Sequence, residues 1–358
     1  MSRLTIAIPT FRRPEDLKRA VGGVLEQASE LAAGPIAEAS GPRTDAEAGT
    51  EGDAAGATDA KGGAGEDVSD IEVLVIDNDA QGSGREAALA AAADAGVPVR
   101  SPADAPVESG GVSVRYVVEE RPGVAAVRNR ALDETAERDL LIFIDDDEDP
   151  EPGWLAALVG LWASTGCQAV AGPVIPVYEV EPEEWVRQGE FFVRRTWPTG
   201  TVRPVAASNC LLLDLGFVRR VGLRFDEAFG ATGGEDTLFT RQLCAAGGVI
   251  RWCAEARVRD HVPASRLARP WILRRQRSHA ATSVRVELAL AGGGAQPAIR
   301  ARAAAGGLVR IVIGGLRTAG GTLIGDPRHA AKGARLLARG RGILAASTGG
   351  GVHREYDH

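Results

Sequence analysis

The chain lacks most of what would mark a membrane span, a zinc site or a disulfide scaffold. No apolar run reaches the roughly 18–20 residues that a membrane-crossing helix needs. The opening MSRLTIAIPT has no signal-peptide pattern; its apolar stretch is short and suits a strand. Only four cysteines occur, Cys167, Cys210, Cys244 and Cys253, widely spaced in apolar surroundings. With no CxxC pair and no Cys/His cluster, the expectation is reduced core thiols in a cytoplasmic protein. Aromatics make up 5% of the chain, and none lies between Trp271 and Tyr356. The basic C-terminal third therefore lacks the interleaved aromatics of a nucleic-acid surface, and no nucleic-acid partner is expected. What is present is an apolar content of 44% in 358 residues, enough for one large domain with extensions.

The most informative run is Leu140-Leu141-Ile142-Phe143-Ile144 followed by Asp145-Asp146-Asp147-Glu148. Five apolar residues read as a fully buried strand. Carboxylates crowded at one point repel and resist joint ionisation, so a cation is expected among them. Mg²⁺ takes one or two carboxylates together with phosphate oxygens. Open α/β sheets bind ligands just beyond the carboxyl ends of their strands. Position and chemistry both suggest a metal-diphosphate site, although DDDE by itself is equally a solvated acidic turn.

Three further segments fit the same plan. Leu4–Ile8 reads as a buried strand, followed by Pro9-Thr10-Phe11-Arg12-Arg13-Pro14 and a helix with Leu17, Ala20, Val21, Val24 and Leu25 on one face. A strand over 71–76 ends in Asp77-Asn78-Asp79. A strand over 112–118 leads into Arg121-Pro122-Gly123 and a helix carrying Arg128 and Asn129.

Read together, IPTFRRP (8–14), VIDND (75–79), RPGVAAVRNRAL (121–132), FIDDDE (143–148), SNCLLL (208–213) and GGEDTLFTRQL (233–243) resemble the family 2 glycosyltransferases. The resemblance covers roughly residues 3–285. It implies an α/β class GT-A fold, an open mixed sheet flanked by helices with a nucleotide-binding, Rossmann-like half and an acceptor half. It also implies inverting transfer of a sugar from a nucleotide diphosphate, with UDP-sugars favoured, to a hydroxyl of a glycan or lipid-linked acceptor. The implied cofactor is Mg²⁺ or Mn²⁺.

Roles follow by position. Asp145 and Asp147 match the DxD residues; Asp147 is expected on the metal, and Asp145 on ribose or metal. Asp146 should face the other way if the strand's alternation persists, with Glu148 behind the ligands. Asp77 matches the aspartate that accepts a hydrogen bond from the nucleobase. Pro9 and Thr10 should line the base and ribose pocket with Arg12 close by, and Arg128 and Asn129 should lie near base or diphosphate. Asn209 would touch the donor sugar. His261, after a strand and before Pro263, resembles a histidine that ligates metal or contacts diphosphate; a structural histidine is the alternative. Arg274, Arg275 and Arg277 would clamp the diphosphate, although QxxRW is absent and RRQRSHAATS stands in its place.

Glu235 and Asp236 open an amphipathic helix with Leu238, Phe239, Leu243 and Cys244. Helix capping explains such a pair in any protein. The match to the family's ED element casts Asp236 as the base that deprotonates the acceptor and Glu235 as its orienting partner.

Two shifts in composition flank this pattern. Residues 29–70 hold ten acids against Arg43 and Lys61, with no aromatic residue, and are expected to be a disordered acidic insertion. A smaller loop is expected over 101–111. From Arg257 to Arg341, sixteen Arg and one Lys stand against Asp260, Glu287 and Asp326, a net +14 in a chain whose total is −7. Residues 286–358 are expected to form a basic helical extension. Leu308, Ile311, Val312 and Leu316 recur there at helical spacing among arginines. Such a helix either packs on the domain or rests on an anionic membrane, at its inner face for a cytoplasmic protein.

The sequence weighs against other classes. A nucleotidyltransferase wants a glycine-rich triphosphate loop with lysine, and Lys18 falls inside the predicted helix. A haloacid-dehalogenase-like phosphatase wants DxDGT, whereas this chain reads DDDEDP. A non-catalytic glycan-binding module would not require two strand-end acidic clusters plus the ED pair.

Overall fold

A computed structural model describes residues 2–34, 68–100, 111–230 and 232–349. The expected disorder over 29–70 falls largely outside these residues, as does most of the 101–111 loop. Both ends of the 29–70 segment need correction. Residues 29–33 complete helix α1 (Pro14–Ala33), because Leu31 extends its buried face one turn past Ala28. Residues 68–70 begin strand β2 (Val68–Asp77), whose Val68 pairs with Ser2 of β1 (Ser2–Thr10).

β1 lies at the centre of the main sheet because its neighbours come from both later directions of the chain. β2 pairs with it on one side, and β5 (Leu140–Ile144) pairs on the other, both parallel. β3 (Val99–Arg100) and β4 (Gly111–Val118) extend the β2 side, again parallel. The chain thus reverses its winding at β1/β5, which opens a crevice at the strand ends. Beyond β5 the sheet turns mixed. β10 (Cys210–Asp214) runs antiparallel to both β5 and β7 (Ala169–Ala171), followed by β11 (Ile250–Trp252) and β9 (Val202–Arg203). A second sheet joins β6 (Glu148–Pro150), β12 (Val258–Val262) and β8 (Val174–Tyr178). This is the open mixed sheet that the sequence implies.

Central strands are apolar on both faces, as expected where helices cover both sides. Ile6, Ile8, Ile142 and Ile144 pack under α1 and α4 (Trp154–Thr165). Ala7, Leu141 and Phe143 pack under α3 (Val124–Glu134), α6 (Leu215–Val221) and α7 (Glu235–Ala245). α2 (Arg85–Asp94) covers the β2–β4 side.

The C-terminal extension is helical, as expected. α8 (Arg269–Leu290) runs from the domain into an antiparallel hairpin of α9 (Gln296–Leu323) and α10 (Pro327–Ser347). The hairpin closes through buried glycines seven residues apart: Gly307, Gly314 and Gly321 on α9, and Gly333 and Gly340 on α10. A Cβ on Gly314 would sit 2.5 Å from the backbone nitrogen of Leu337. α10 also lies on α8, where Gly342 meets the carbonyl of Arg277, and beside α5 (Glu184–Gly189), where Lys332 bonds Glu190 at 2.8 Å.

Candidate functional site

The site begins with the loop after β1. Arg12 adopts a left-handed backbone (φ 55°), rare for a residue with a side chain, and its guanidinium pairs with Asp79 at 3.3 Å. The turn sends Arg13 the other way, across to the acids that follow β5. Arg13 reaches Asp146 at 3.2 Å and Asp147 at 2.9 Å; Arg266 adds a second bond to Asp147 Oδ2 at 3.1 Å. Thr10 Oγ1 donates to Asp146 at 2.8 Å. Asp146 thus bonds to β1 while lining the same cavity as its neighbours. Burial pushes its carboxyl up to about 7, against the opposing pull of Arg13 and the Thr10 bond.

Glu148 is buried beneath this turn. It accepts from the Asp145 backbone N–H at 3.2 Å and from Asn209 Nδ2 at 2.5 Å. Burial first, then the charge of Asp145, raises its carboxyl well above the ordinary value. Asp145, Asp146, Asp147 and Glu148 all line a cavity of about 580 Å³ at the strand ends. Pro9, Thr10, Arg12, Asn209, Arg274 and Arg275 share its wall, as expected.

A second cavity, about 600 Å³, adjoins the first along Arg128, Asp145, Asn209 and Asp260. Glu235 and Asp236 line it from the N-terminus of α7. Gly234 precedes them with φ 96°, and a Cβ there would strike Thr282 of α8, so only glycine allows this close approach. Arg128 is buried, bonded to Glu235, and lies 3.8 Å from Asp145. It therefore joins the acids of the two cavities. Among the described residues, Glu235 Oε2 is buried without a hydrogen-bond partner. Burial outweighs Arg128 and pushes the Glu235 carboxyl up to about 7. Asp236 is held by the Thr237 backbone N–H at 2.5 Å, through Oδ1 alone.

Three expected residues sit elsewhere. Asp77 is fully buried; its oxygens accept from the backbone N–H groups of Asp79 (2.9 Å) and Gly84 (2.7 Å) and from the Tyr116 hydroxyl (2.6 Å). It braces the loop into α2, and Asn78 reaches the cavity wall instead. Asn129 exchanges both amide bonds with the Phe225 backbone at 2.9 Å and faces neither cavity. His261 lines neither cavity; its Nε2 bonds Asp149 at 2.5 Å, and its backbone N–H donates to the Asp147 carbonyl at 3.2 Å.

The residues missed were Arg13, Arg194, Arg266 and, above all, Asp260. Asp260 is buried, lines both cavities and pairs with Arg194. The signal was available: along β12, Val258, Asp260 and Val262 are buried while Arg259 and His261 point outward.

Among the described residues, no group of three or more His, Cys, Asp or Glu is arranged to hold a metal. The donor set still suits a hard cation that takes only two carboxylates from protein. Asp145 and Asp147 supply them. Enclosure by the cavity walls, and then Asp147, Asp260 and Asp236, raise the Asp145 carboxyl despite Arg128. That excess of negative charge is what a divalent ion would relieve. His261 does not fit this set.

Residues 64–213 match the family model described as Glycosyl transferase family 2. Over 207 residues the chain is 33% identical to the succinoglycan biosynthesis protein ExoM of Rhizobium meliloti (strain 1021). That match spans 58% of this chain and 62% of the relative's own length. Among solved structures, S. aureus TarS 1-349 aligns with a TM-score of 0.46 at 11% identity, covering 93% of this chain and 90% of that chain. GalNAc-T7 with UDP, GalNAc and Mn2+ aligns with a TM-score of 0.48 at 13% identity, covering 79% and 51%. At such TM-scores these two likenesses add nothing to the assignment.

Proposed function

We propose that the chain, whose residues 64–213 match the model of glycosyl transferase family 2, is a glycosyltransferase that moves a sugar from a nucleotide diphosphate to an acceptor hydroxyl with inversion. One observation carries this reading. Two cavities, one rimmed by Asp145, Asp147 and arginines and the other by Glu235 and Asp236, meet at Asp145 and Arg128. The first suits a donor diphosphate and the second an acceptor.

In this reading Arg12, Arg274 and Arg275 receive diphosphate oxygens, with Pro9 and Thr10 beside the nucleoside. Asp145 and Asp147 hold Mg²⁺ or Mn²⁺, which when bound offsets charge developing on the leaving diphosphate. Arg128 fixes Glu235 at the junction, and Glu235 orients the acceptor. Asp236 takes the hydroxyl proton on its free oxygen, while Thr237 fixes the other. The donor is a nucleotide sugar, with UDP-sugars favoured, and the acceptor is a glycan or lipid-linked glycan. Thermal shift with UDP-, GDP-, TDP- and CMP-sugars, with and without Mn²⁺, tests the donor half. A donor that binds the native state raises the melting temperature by mass action. No shift with any of them would contradict it.

The tail has a partner in this reading as well. No helix among the described residues is long and apolar enough to cross a membrane. Yet α9 turns Val312 (60% exposed) and Leu316 (72%) outward, and Leu323 (86%) and Ile324 (74%) follow at its end. An apolar helix face of this kind among arginines suits the surface of an anionic bilayer. The protein would then work in the cytoplasm, peripheral to the inner face of the membrane. Val312→Glu/Leu316→Glu should lower affinity for anionic liposomes in co-sedimentation by about a hundredfold or more, since each lost apolar anchor costs on the order of 1.5–3 kcal/mol. Equal sedimentation would contradict the membrane role.

A further inference from the structure

The second cavity takes one wall from α8 and α10, with Thr282 and Val286 of α8 beside Arg335 and Arg339 of α10. Thr232, Gly233 and Gly234 line it too, and they lead directly into Glu235 and Asp236. Both glycines have positive φ, 74° and 96°, so the backbone of this lead does little by itself to fix where α7 starts. What holds it comes from α8. The Thr282 hydroxyl donates to the Thr232 carbonyl at 3.4 Å, and Gly234 lies against the Thr282 methyl. Three residues further along α8, Arg285 donates through one nitrogen to the Thr232 hydroxyl and through the other to the Ala228 carbonyl at 3.0 Å. Its guanidinium covers the Phe229 ring at 4.5 Å, and Phe229 packs in turn with Leu238 of α7 and Val286 of α8.

Arg285 meets a carbonyl, a hydroxyl and an aromatic ring, all neutral. Desolvation lowers its pKa against the pull of Asp226, so the charge is held there at a cost. The planar guanidinium presents donors in a rigid fork, which reaches two fixed points at once where a lysine ammonium holds one. Here the two points are Ala228 and Thr232, and Asp236 follows Thr232 by four residues. We propose that Arg285 is a positioning residue for the proton acceptor: by clamping the Ala228 carbonyl and the Thr232 hydroxyl to α8, it fixes the start of α7 and with it the Asp236 carboxylate. This rests on the reading of Asp236 as the base. α8 then serves both cavities. Its first turns carry Trp271, Arg274 and Arg275 to the donor side, and its later turns set the acids of the acceptor side.

The test uses the full chain with Mn²⁺ and the nucleotide sugar that stabilises it most in the thermal-shift panel. Water serves as acceptor, and release of the nucleoside diphosphate in a single turnover is the readout. Arg285→Gln should lower this rate by about ten- to a hundredfold, since a shift of about 1 Å in a catalytic group can cost that much. Donor affinity by calorimetry should stay within about twofold. Arg285→Lys keeps the charge without the fork, and its rate should fall nearly as far. In the Asp236→Asn background, Arg285→Gln should cost about twofold at most, because residues that act as a unit are not additive. A full additional loss there would overturn the proposal and leave Arg285 a packing residue. Amide hydrogen exchange reads the same clamp without turnover. Residues 232–237 should exchange about tenfold faster in Arg285→Gln while β1 and β5 keep their rates, as expected of local opening. Thr232→Val removes one of the bonds from the loop side; it should show the same change to a smaller degree, and it decides the matter should Arg285→Gln unfold. Equal exchange in wild type and the variants would also overturn the proposal. Wild type that releases no nucleoside diphosphate, with exchange altered as expected, would instead count against Asp236 as the base and leave Arg285 holding the loop.

Discussion

The two cavities differ in what builds their walls. The first is made mostly of loops fixed to the ends of β1, β2 and β5, whose apolar residues lie wholly in the core, with Trp271, Arg274 and Arg275 of α8 closing one side. Its acids can be changed without disturbing that core. The second takes a wall from α8 and α10, which are held by close backbone approach at glycines. There, packing and binding depend on the same helices. A donor-side substitution should therefore touch chemistry first, and a tail substitution should touch stability and acceptor binding together.

The sharpest way to break this contrast is Asp147→Ala. Its carboxylate faces the first cavity and is bonded by Arg13 and Arg266. Metal-dependent affinity for a nucleotide sugar should fall by about a hundredfold, in the range seen when a metal site loses support. The melting temperature should hardly move, because losing this carboxylate also relieves its repulsion with Asp145 and Asp146. Calorimetry in Mn²⁺ showing unchanged affinity would remove Asp147 from the metal.

The opposite pattern is expected from Gly321→Val. Its side chain would collide with the backbone of Ala330 and force α9 from α10. Overpacking of this kind costs about 1–3 kcal/mol. Denaturant unfolding should show that loss, while UDP affinity stays the same. A stable variant would mean the hairpin is looser than these contacts require.

The smallest effect concerns Glu235, whose native pKa is raised to about 7. An acid raised on folding gives stability that is present below its unfolded pKa and lost as pH rises toward the folded one. The window is about pH 4.3 to 7, using the ordinary glutamate value as the lower limit. Glu235→Gln should flatten this part of the melting-temperature profile between pH 5 and 7. An unaltered slope would mean that Glu235 is ionised beside Arg128 throughout.

Legibility in the sequence followed the same division. The apolar strands and the acids after β5 could be read because buried parallel strands are continuous apolar runs. Thr10, Arg12, Asp145 and Asp147 stood where strand ends meet. Asp77 was misplaced because a strand-end carboxylate can equally turn inward and satisfy a loop, and only the fold decides which. Asn129 went astray similarly, one helical position beyond Arg128 and facing Phe225. The choice of His261 over Asp260 neglected alternation along β12. Arg335 and Arg339 carried no signal at all, since nothing local indicates that a helix so late in the chain returns to the site.

The central claim is that the second cavity holds the proton acceptor of a transfer reaction. Asp236→Asn tests it most directly, because asparagine leaves the shape nearly intact and its side-chain oxygen can still accept from the Thr237 backbone N–H. The measurement is single-turnover sugar transfer at saturating donor, with melting temperature and donor affinity recorded in parallel. The rate should fall by about two to four orders of magnitude, the span of general-base catalysis, with stability and donor binding preserved. A variant that keeps most of its turnover would contradict the account, leaving Asp236 as a first-turn residue of α7 that bonds Thr237 and moving the base to Glu235.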